Sequence, residues 1–162
     1  MLLHLYHTEL SLYEVGLLRR GELSDGPGFH RVDTFYACLH ATKSWFDIFT
    51  NLGPDGYIGL SISTFTQLAH CIITLYRLST VDDPAWNLIL VREIADFSLI
   101  LDQVINSMTG LKWVASPEFG ESSQDDIITS TSQRLQRIKM WWDKKGDAGS
   151  RSGATPNHRY ET

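Results

Sequence analysis

Apolar residues recur at intervals of three and four along five separate stretches of this chain, with glycine, proline or charged residues marking their ends. That period belongs to the α-helix, whose residues i, i+3, i+4 and i+7 share a face. An apolar stripe must be buried against another surface, so five of them confine the chain to an all-α array. The connections are short, which makes sequence neighbours mostly antiparallel, as in a helical bundle. No stretch alternates in the manner of a strand, and the chain holds no internal repeat.

The first stretch runs over about residues 2–19, with Leu3, Leu10, Tyr13 and Leu17 as its stripe, and Arg19-Arg20-Gly21 ends it. Cations suit the negative end of a helix, and glycine supplies the left-handed cap. Residues 21–32 read as a loop rich in glycine. A second helix is expected to start at Asp33 as N-cap, to carry Phe35, Cys38, Leu39, Thr42, Trp45, Phe46 and Phe49 on one face, and to stop at Gly53-Pro54. A third spans about 62–80 with Ile62, Phe65, Leu68, Ala69, Ile72 and Leu75, and its Thr64 and Gln67 have capping-box spacing. Asp82-Asp83-Pro84 places an acid cap before a proline at the first helical position, predicting a fourth helix to Met108 or Thr109. Its Ile94, Phe97, Leu101, Val104 and Met108 form a narrow 3-4-3-4 seam, and Gly110 closes it. Residues 110–121 read as a second loop. The fifth opens with Ser122, Ser123, Asp125 and Asp126, buries Ile128, Thr131, Leu135, Ile138 and Trp142, and ends at Lys144-Lys145-Gly146.

Residues 146–162 contain no Leu, Ile, Val, Phe or Trp, so they bury too little to offset the entropy of ordering. The expected organisation is therefore a helical domain over 1–145 and a disordered tail over 146–162. At 162 residues, 43% hydrophobic and 20% charged, the chain has material for one ordinary core or a piece of a larger one. Two cysteines make neither a disulfide framework nor a zinc site of their own. No run approaches the roughly 18 apolar residues of a membrane span. The leucines after Met1 lack a basic flank, unlike a secretory signal, so a soluble intracellular chain is expected.

Charge is uneven. Residues 1–133 hold 7 Lys/Arg against 16 Asp/Glu, whereas 134–162 hold 7 against 3. An acidic body is a poor surface for a phosphate backbone, which needs cations to displace its counterions. The basic end (Arg134, Arg137, Lys139, Lys144, Lys145, Arg151 and Arg159) reads as favourable charge in a last helical turn followed by a soluble tail. Direct nucleic-acid binding by this chain is not expected.

Candidate chemistry is sparse. His4 and His7 can share a helix face and offer two metal ligands, but the sequence supplies no partners for them. Cys38, beside His40, and Cys71, beside His70, lie on or next to apolar stripes, where cysteine acts as a small hydrophobe. There is no nucleophile elbow, no catalytic-cysteine signature and no phosphate-cradling glycine loop. No catalytic, cofactor or metal residue is assigned, and no enzyme is expected. One alternative stands. Asp82-Asp83, with Asp125-Asp126-Ile127-Ile128-Thr129 and Gln133, resembles the Mg²⁺ motifs of class I terpene synthases. That would make Asp82, Asp83, Asp125 and Thr129 a diphosphate-binding set. It departs from the motifs at Trp86 and Gln133, where acids are required, and helix capping accounts for both acid pairs more simply.

A second resemblance covers about residues 2–143. The phrases Tyr6-His7-Thr8-Glu9-Leu10, Tyr13-Glu14-Val15-Gly16-Leu17, Lys43-Ser44-Trp45-Phe46-Asp47, Gln67-Leu68-Ala69-His70-Cys71, Leu75-Tyr76-Arg77-Leu78-Ser79-Thr80, Asp82-Asp83-Pro84-Ala85-Trp86 and Leu99-Ile100-Leu101-Asp102 occur in order. Together they resemble the C-terminal regulatory region of fungal zinc binuclear cluster transcription factors, of the type found beside secondary-metabolite genes. The resemblance implies a helical regulatory region, nuclear in its full-length setting, with other parts of the transcription factor or regulatory proteins as partners and a small molecule as effector. The family's zinc belongs to a six-cysteine cluster that this chain does not contain, so DNA reading and zinc are carried onto no residue here. A fragment of a longer regulator is the expected origin.

Overall fold

Stripes of this kind find their partners in six α-helices among the described residues of a computed structural model, which describes 1–20, 29–53, 56, 60–110 and 123–151. They are α1 (Leu2–Arg20), α2 (Phe29–Thr50), α3 (Ile62–Leu78), α4 (Leu88–Ile94), α5 (Phe97–Gly110) and α6 (Ser123–Arg151), with no strand among those residues. The all-α expectation holds. The expected loops fall largely on residues 21–28 and 111–122, outside the described residues, as does 152–162 of the expected tail.

Cross-helix contacts fix the directions. Trp45 toward the end of α2 meets Gln67 toward the start of α3, whereas Arg31 and Phe35 at the start of α2 meet Asp83 and Trp86 just beyond the end of α3. These two helices therefore run antiparallel. His4, His7 and Glu14 meet Gln67, His70 and Thr74 in ascending order, so α1 and α3 run parallel, each antiparallel to α2. Ser98 with Asp143 and Asp102 with Lys139 make α5 and α6 antiparallel.

One apolar cluster spans the helices. Trp45, Phe46 and Phe49 of α2 are its centre, with Trp45 stacked on Phe49 at 5.0 Å between ring centroids. Leu10 comes from α1, Leu68, Cys71 and Leu75 from α3, and Leu101, Val104 and Met108 from α5. A smaller aromatic contact of Tyr76, Phe97 and Trp142 seats α6 against α3 and α5.

Five local expectations change. The second helix begins at Phe29, a turn before Asp33, because nothing after Gly28 breaks the helix and Arg31 then reaches over Phe35 and toward Asp83. The single fourth helix is two. Trp86 is drawn into the core, donating Nε1–H to Leu78 O at 2.7 Å, so Pro84 sits in a turn in which Asp83 accepts from Ala85 N–H at 2.9 Å. Asn87 caps α4 through Ile89 and Leu90 N–H, and Asp96 caps α5 through Leu99 N–H at 2.8 Å. The Thr64–Gln67 capping box does not form: Ser61 is the N-cap of α3 and Gln67 is buried elsewhere. Finally, α6 continues through Gly146 to Arg151, and the cations from Arg134 to Lys145 lie along the helix and not in its last turn. Its buried face is also rotated. Ile138 is exposed, while Ser132 is buried and Lys139 turns toward α5.

Candidate functional site

Beside the leucine stripe of α1 lies a polar one, His4, His7 and Glu14, and α3 carries a matching set at Gln67, His70 and Thr74. Spacings of three, four and seven stack each set along one helix face. Parallel packing of α1 and α3 brings the two sets together as a seam flanking the core.

Hydrogen-bond chemistry orients each member. The indole of Trp45 can only donate, so its Nε1, 3.4 Å from Gln67, fixes Oε1 on that side of the amide. The Gln67 Nε2 then donates to His4 Nδ1 at 2.6 Å, which must carry a lone pair. Gln67 and Thr74 are buried and Trp45 is fully so. Burial of such groups is tolerated because each has a partner.

The second half of the seam is a relay. Thr74 Oγ1 donates to Glu14 Oε1 at 2.7 Å, and His70 Nε2 donates to Glu14 Oε2 at 2.8 Å. His70 Nδ1 lies 2.9 Å from His7 Nε2, with the rings edge-on at 5.0 Å. When His70 is neutral, its Nδ1 accepts from His7; when charged, it donates to a neutral His7. A second proton would set N–H against N–H and break the contact. Burial holds the His7 pKa below its ordinary value, helped by the neighbouring His70 and opposed by Glu14, with a further lowering from His4. The contact between the two rings thus has room for one N–H and not for two.

Other sequence candidates lie apart. His4 and His7 turn to different α3 partners, and among the described residues no group of three or more His, Cys, Asp or Glu is arranged to hold a metal ion. Cys38 and Cys71 are buried thiols pushed up to about 12, chiefly by burial and then by Glu14, so neither is a thiolate at neutral pH. His40 is exposed. Asp82 and Asp83 lie near the start of α2, with Asp82 exposed and Asp83 serving Ala85 and Arg31. The antiparallel register places Thr129 toward the far end of α5, where Ser107 meets Thr50 at the end of α2. Those ends of α2 are separated by about 28 Å at 1.5 Å per residue, so the aspartate pair and Thr129 do not converge. The side chains of Asp125 and Asp126 lie outside the described residues. Trp86, where the terpene-synthase motif requires an acid, is a core residue packed on Phe35 and Tyr36.

The seam's other members, Glu14, Gln67, His70 and Thr74, were not assigned a joint role from sequence. The signal was present as two polar stripes at helical spacing, each next to an apolar one, but nothing local says that α1 and α3 are neighbours.

With this geometry in place, comparisons with known proteins give its context. A family model for a C-terminal domain (ATEG07667_C) matches residues 54–161. The chain is 34% identical over 143 residues to the transcription factor opdL of Penicillium oxalicum, covering 88% of this chain and 25% of that protein. It is 23% identical over 123 residues to a transcription factor of Aspergillus terreus, covering 76% of this chain and 20% of that one. The chain therefore spans a quarter or less of the length of the curated relatives it matches. No solved structure matches it.

Proposed function

Since the chain belongs to the ATEG07667_C family of C-terminal domains, we propose that it is the helical regulatory and interaction region of a fungal transcription factor. It acts by contact and not by catalysis, does not bind DNA by itself, and is nuclear within its longer protein. Both relatives named above are transcription factors, which supports the regulatory reading. Among the described residues no helix is long and apolar enough to cross a membrane.

The α1–α3 seam is the observation that carries the reading. A purely apolar joint has one strong preference, whereas a joint closed by exchangeable hydrogen bonds can be traded against a partner's. Five hydrogen bonds join Trp45, Gln67, His4, His7, His70, Glu14 and Thr74. At a net value of about 1 kcal/mol each they amount to about 5 kcal/mol. About 5.5 kcal/mol of differential binding moves a two-state equilibrium from one side to the other, so the seam has the scale of a regulatory joint. A small-molecule effector, another part of the transcription factor or a regulatory protein that binds the displaced arrangement better would shift its population.

A reporter assay tests this. Fused to an unrelated DNA-binding domain and activator, the chain should change reporter output, and Gln67→Leu should alter that change. The isolated chain should give no sequence-selective gel shift. Tight, selective DNA binding by the chain alone, or a reporter indifferent to its presence, would refute the reading.

A further inference from the structure

The outward face of α6 combines charge and apolar surface in a way the seam does not use. Arg134, Arg137, Ile138, Trp141 and Lys145 follow the i, i+3, i+4, i+7 and i+11 positions of one helix face, with Met140 and Lys144 at its border. All of them are exposed, including Ile138 at 38%, Met140 at 66% and Trp141 at 52%. The Lys145 ammonium lies 5.2 Å from the Trp141 ring centroid, and the Tyr76 ring lies 6.0 Å from the same indole.

Charge on this helix is segregated. Asp143, the one acid among its described side chains, points the opposite way and is engaged by Lys139 at 2.7 Å and by Ser98. Lys139 in turn reaches Asp102 of α5 at 3.4 Å. The inward side of α6 is thus neutralised within the molecule. On the outward face, Arg134, Arg137, Lys144 and Lys145 have no ion-pair partner among the described residues.

We propose that the outward face of α6, centred on Trp141 and flanked by Arg134, Arg137, Lys144 and Lys145, is a docking surface for an acidic amphipathic helix of a partner protein. The proposal rests on reading the chain as an interaction region and names the chemistry of its partner. Unpaired cations complement carboxylates and draw them in. An exposed Trp, with Ile and Met beside it, supplies the anchor that charge alone lacks, since tryptophan and arginine dominate the energetics of protein interfaces. A phosphate backbone would use the cations but leave Ile138 and Met140 against water, and the acidic body behind them would repel it. A helix with Asp and Glu on one side and large apolar residues on the other satisfies both halves of the surface at once.

Fluorescence anisotropy with the full chain tests the proposal. The probe is a labelled synthetic helix carrying Asp and Glu on one face and Leu and Phe on the other. A scrambled peptide of the same composition and a labelled DNA duplex serve as comparisons. Saturable binding of the ordered peptide is expected, weakening with salt. Trp141→Ala should weaken it by about 30-fold, the scale of an interface hot spot. Ile138→Ser and the pair Arg137→Glu with Lys145→Glu, all at exposed positions, should weaken it with unchanged circular dichroism. Equal binding of the scrambled peptide, indifference to these variants, or preference for the duplex would overturn the proposal. So would a concentration-dependent dimer of the chain alone that the same variants abolish, which would assign the face to a second copy. If the reporter responds to the chain while no peptide binds, the docking face falls and the regulatory reading stands. If neither responds, both fall.

Discussion

Two regions of this molecule hold polar and aromatic groups side by side and dispose of them in opposite ways. In the α1–α3 seam every polar group is turned on another: Trp45 on Gln67, Gln67 on His4, His7 on His70, and both His70 and Thr74 on Glu14. Along the outer side of α6, Arg134, Arg137, Lys144 and Lys145 surround a half-exposed tryptophan and meet no acid among the described residues. At Trp45, Gln67 and Thr74, burial makes the difference. A donor shut away from water must find a partner or cost stability, whereas a cation in water can stay unpaired until something arrives. The first region is accordingly a closed joint and the second an open surface.

The largest expected effect that separates them is on the two tryptophans. Trp45→Ala empties a fully buried site stacked on Phe49, and should lower unfolding stability by about 3–5 kcal/mol in a denaturant titration. Trp141→Ala, at the exposed face, should cost less than about 1 kcal/mol. Comparable losses would erase the distinction between joint and surface.

Next comes Gln67→Leu, which keeps the volume but leaves the buried Trp45 N–H without its acceptor. A loss of about 1–3 kcal/mol is expected from that orphaned donor. An unchanged midpoint would mean that the long 3.4 Å contact contributes nothing.

The smallest effect is in pH. The folded pKa of His7 lies below its ordinary 6.5, so between the two values the unfolded chain binds more protons than the folded one. Stability is fully present above pH 6.5 and is lost as the pH falls from there through the folded pKa. The melting temperature should decline over that interval, and His7→Gln, which retains a hydrogen-bonding end but does not titrate, should flatten the decline. A steeper slope in the variant would exclude His7 as the source.

Much of the fold was legible from sequence because helical stripes are local. Leu3 and Leu10, Trp45 and Phe49, Leu68 and Leu75, and Leu101, Val104 and Met108 all lie in the core as their spacing requires. Legibility failed where a distant contact outweighed a local signal. Asp82-Asp83-Pro84 has the form of a helix start, but burying Trp86 holds that segment in a turn and passes the caps to Asn87 and Asp96. Ile138 fits a stripe, yet α6 packs through Ile128, Ser132, Leu135 and Trp142, which leaves Ile138 outside. The seam was half visible. His4 and His7 stood out as a spaced pair, but their partners sit 63 positions further along the chain, and only tertiary packing shows that these are Gln67 and His70.

Gln67 has a further consequence through its position between three helices. Leu3, Leu10 and Leu17 recur every seven residues, so apolar packing by itself would tolerate α1 sliding along its neighbours by one heptad, about 10.5 Å. An amide that must show oxygen to an indole and nitrogen to an imidazole has no equivalent seven residues away: position 60 is Leu60 and position 74 is Thr74. One side chain therefore acts as the index mark of the bundle, converting a sliding set of leucines into a single alignment.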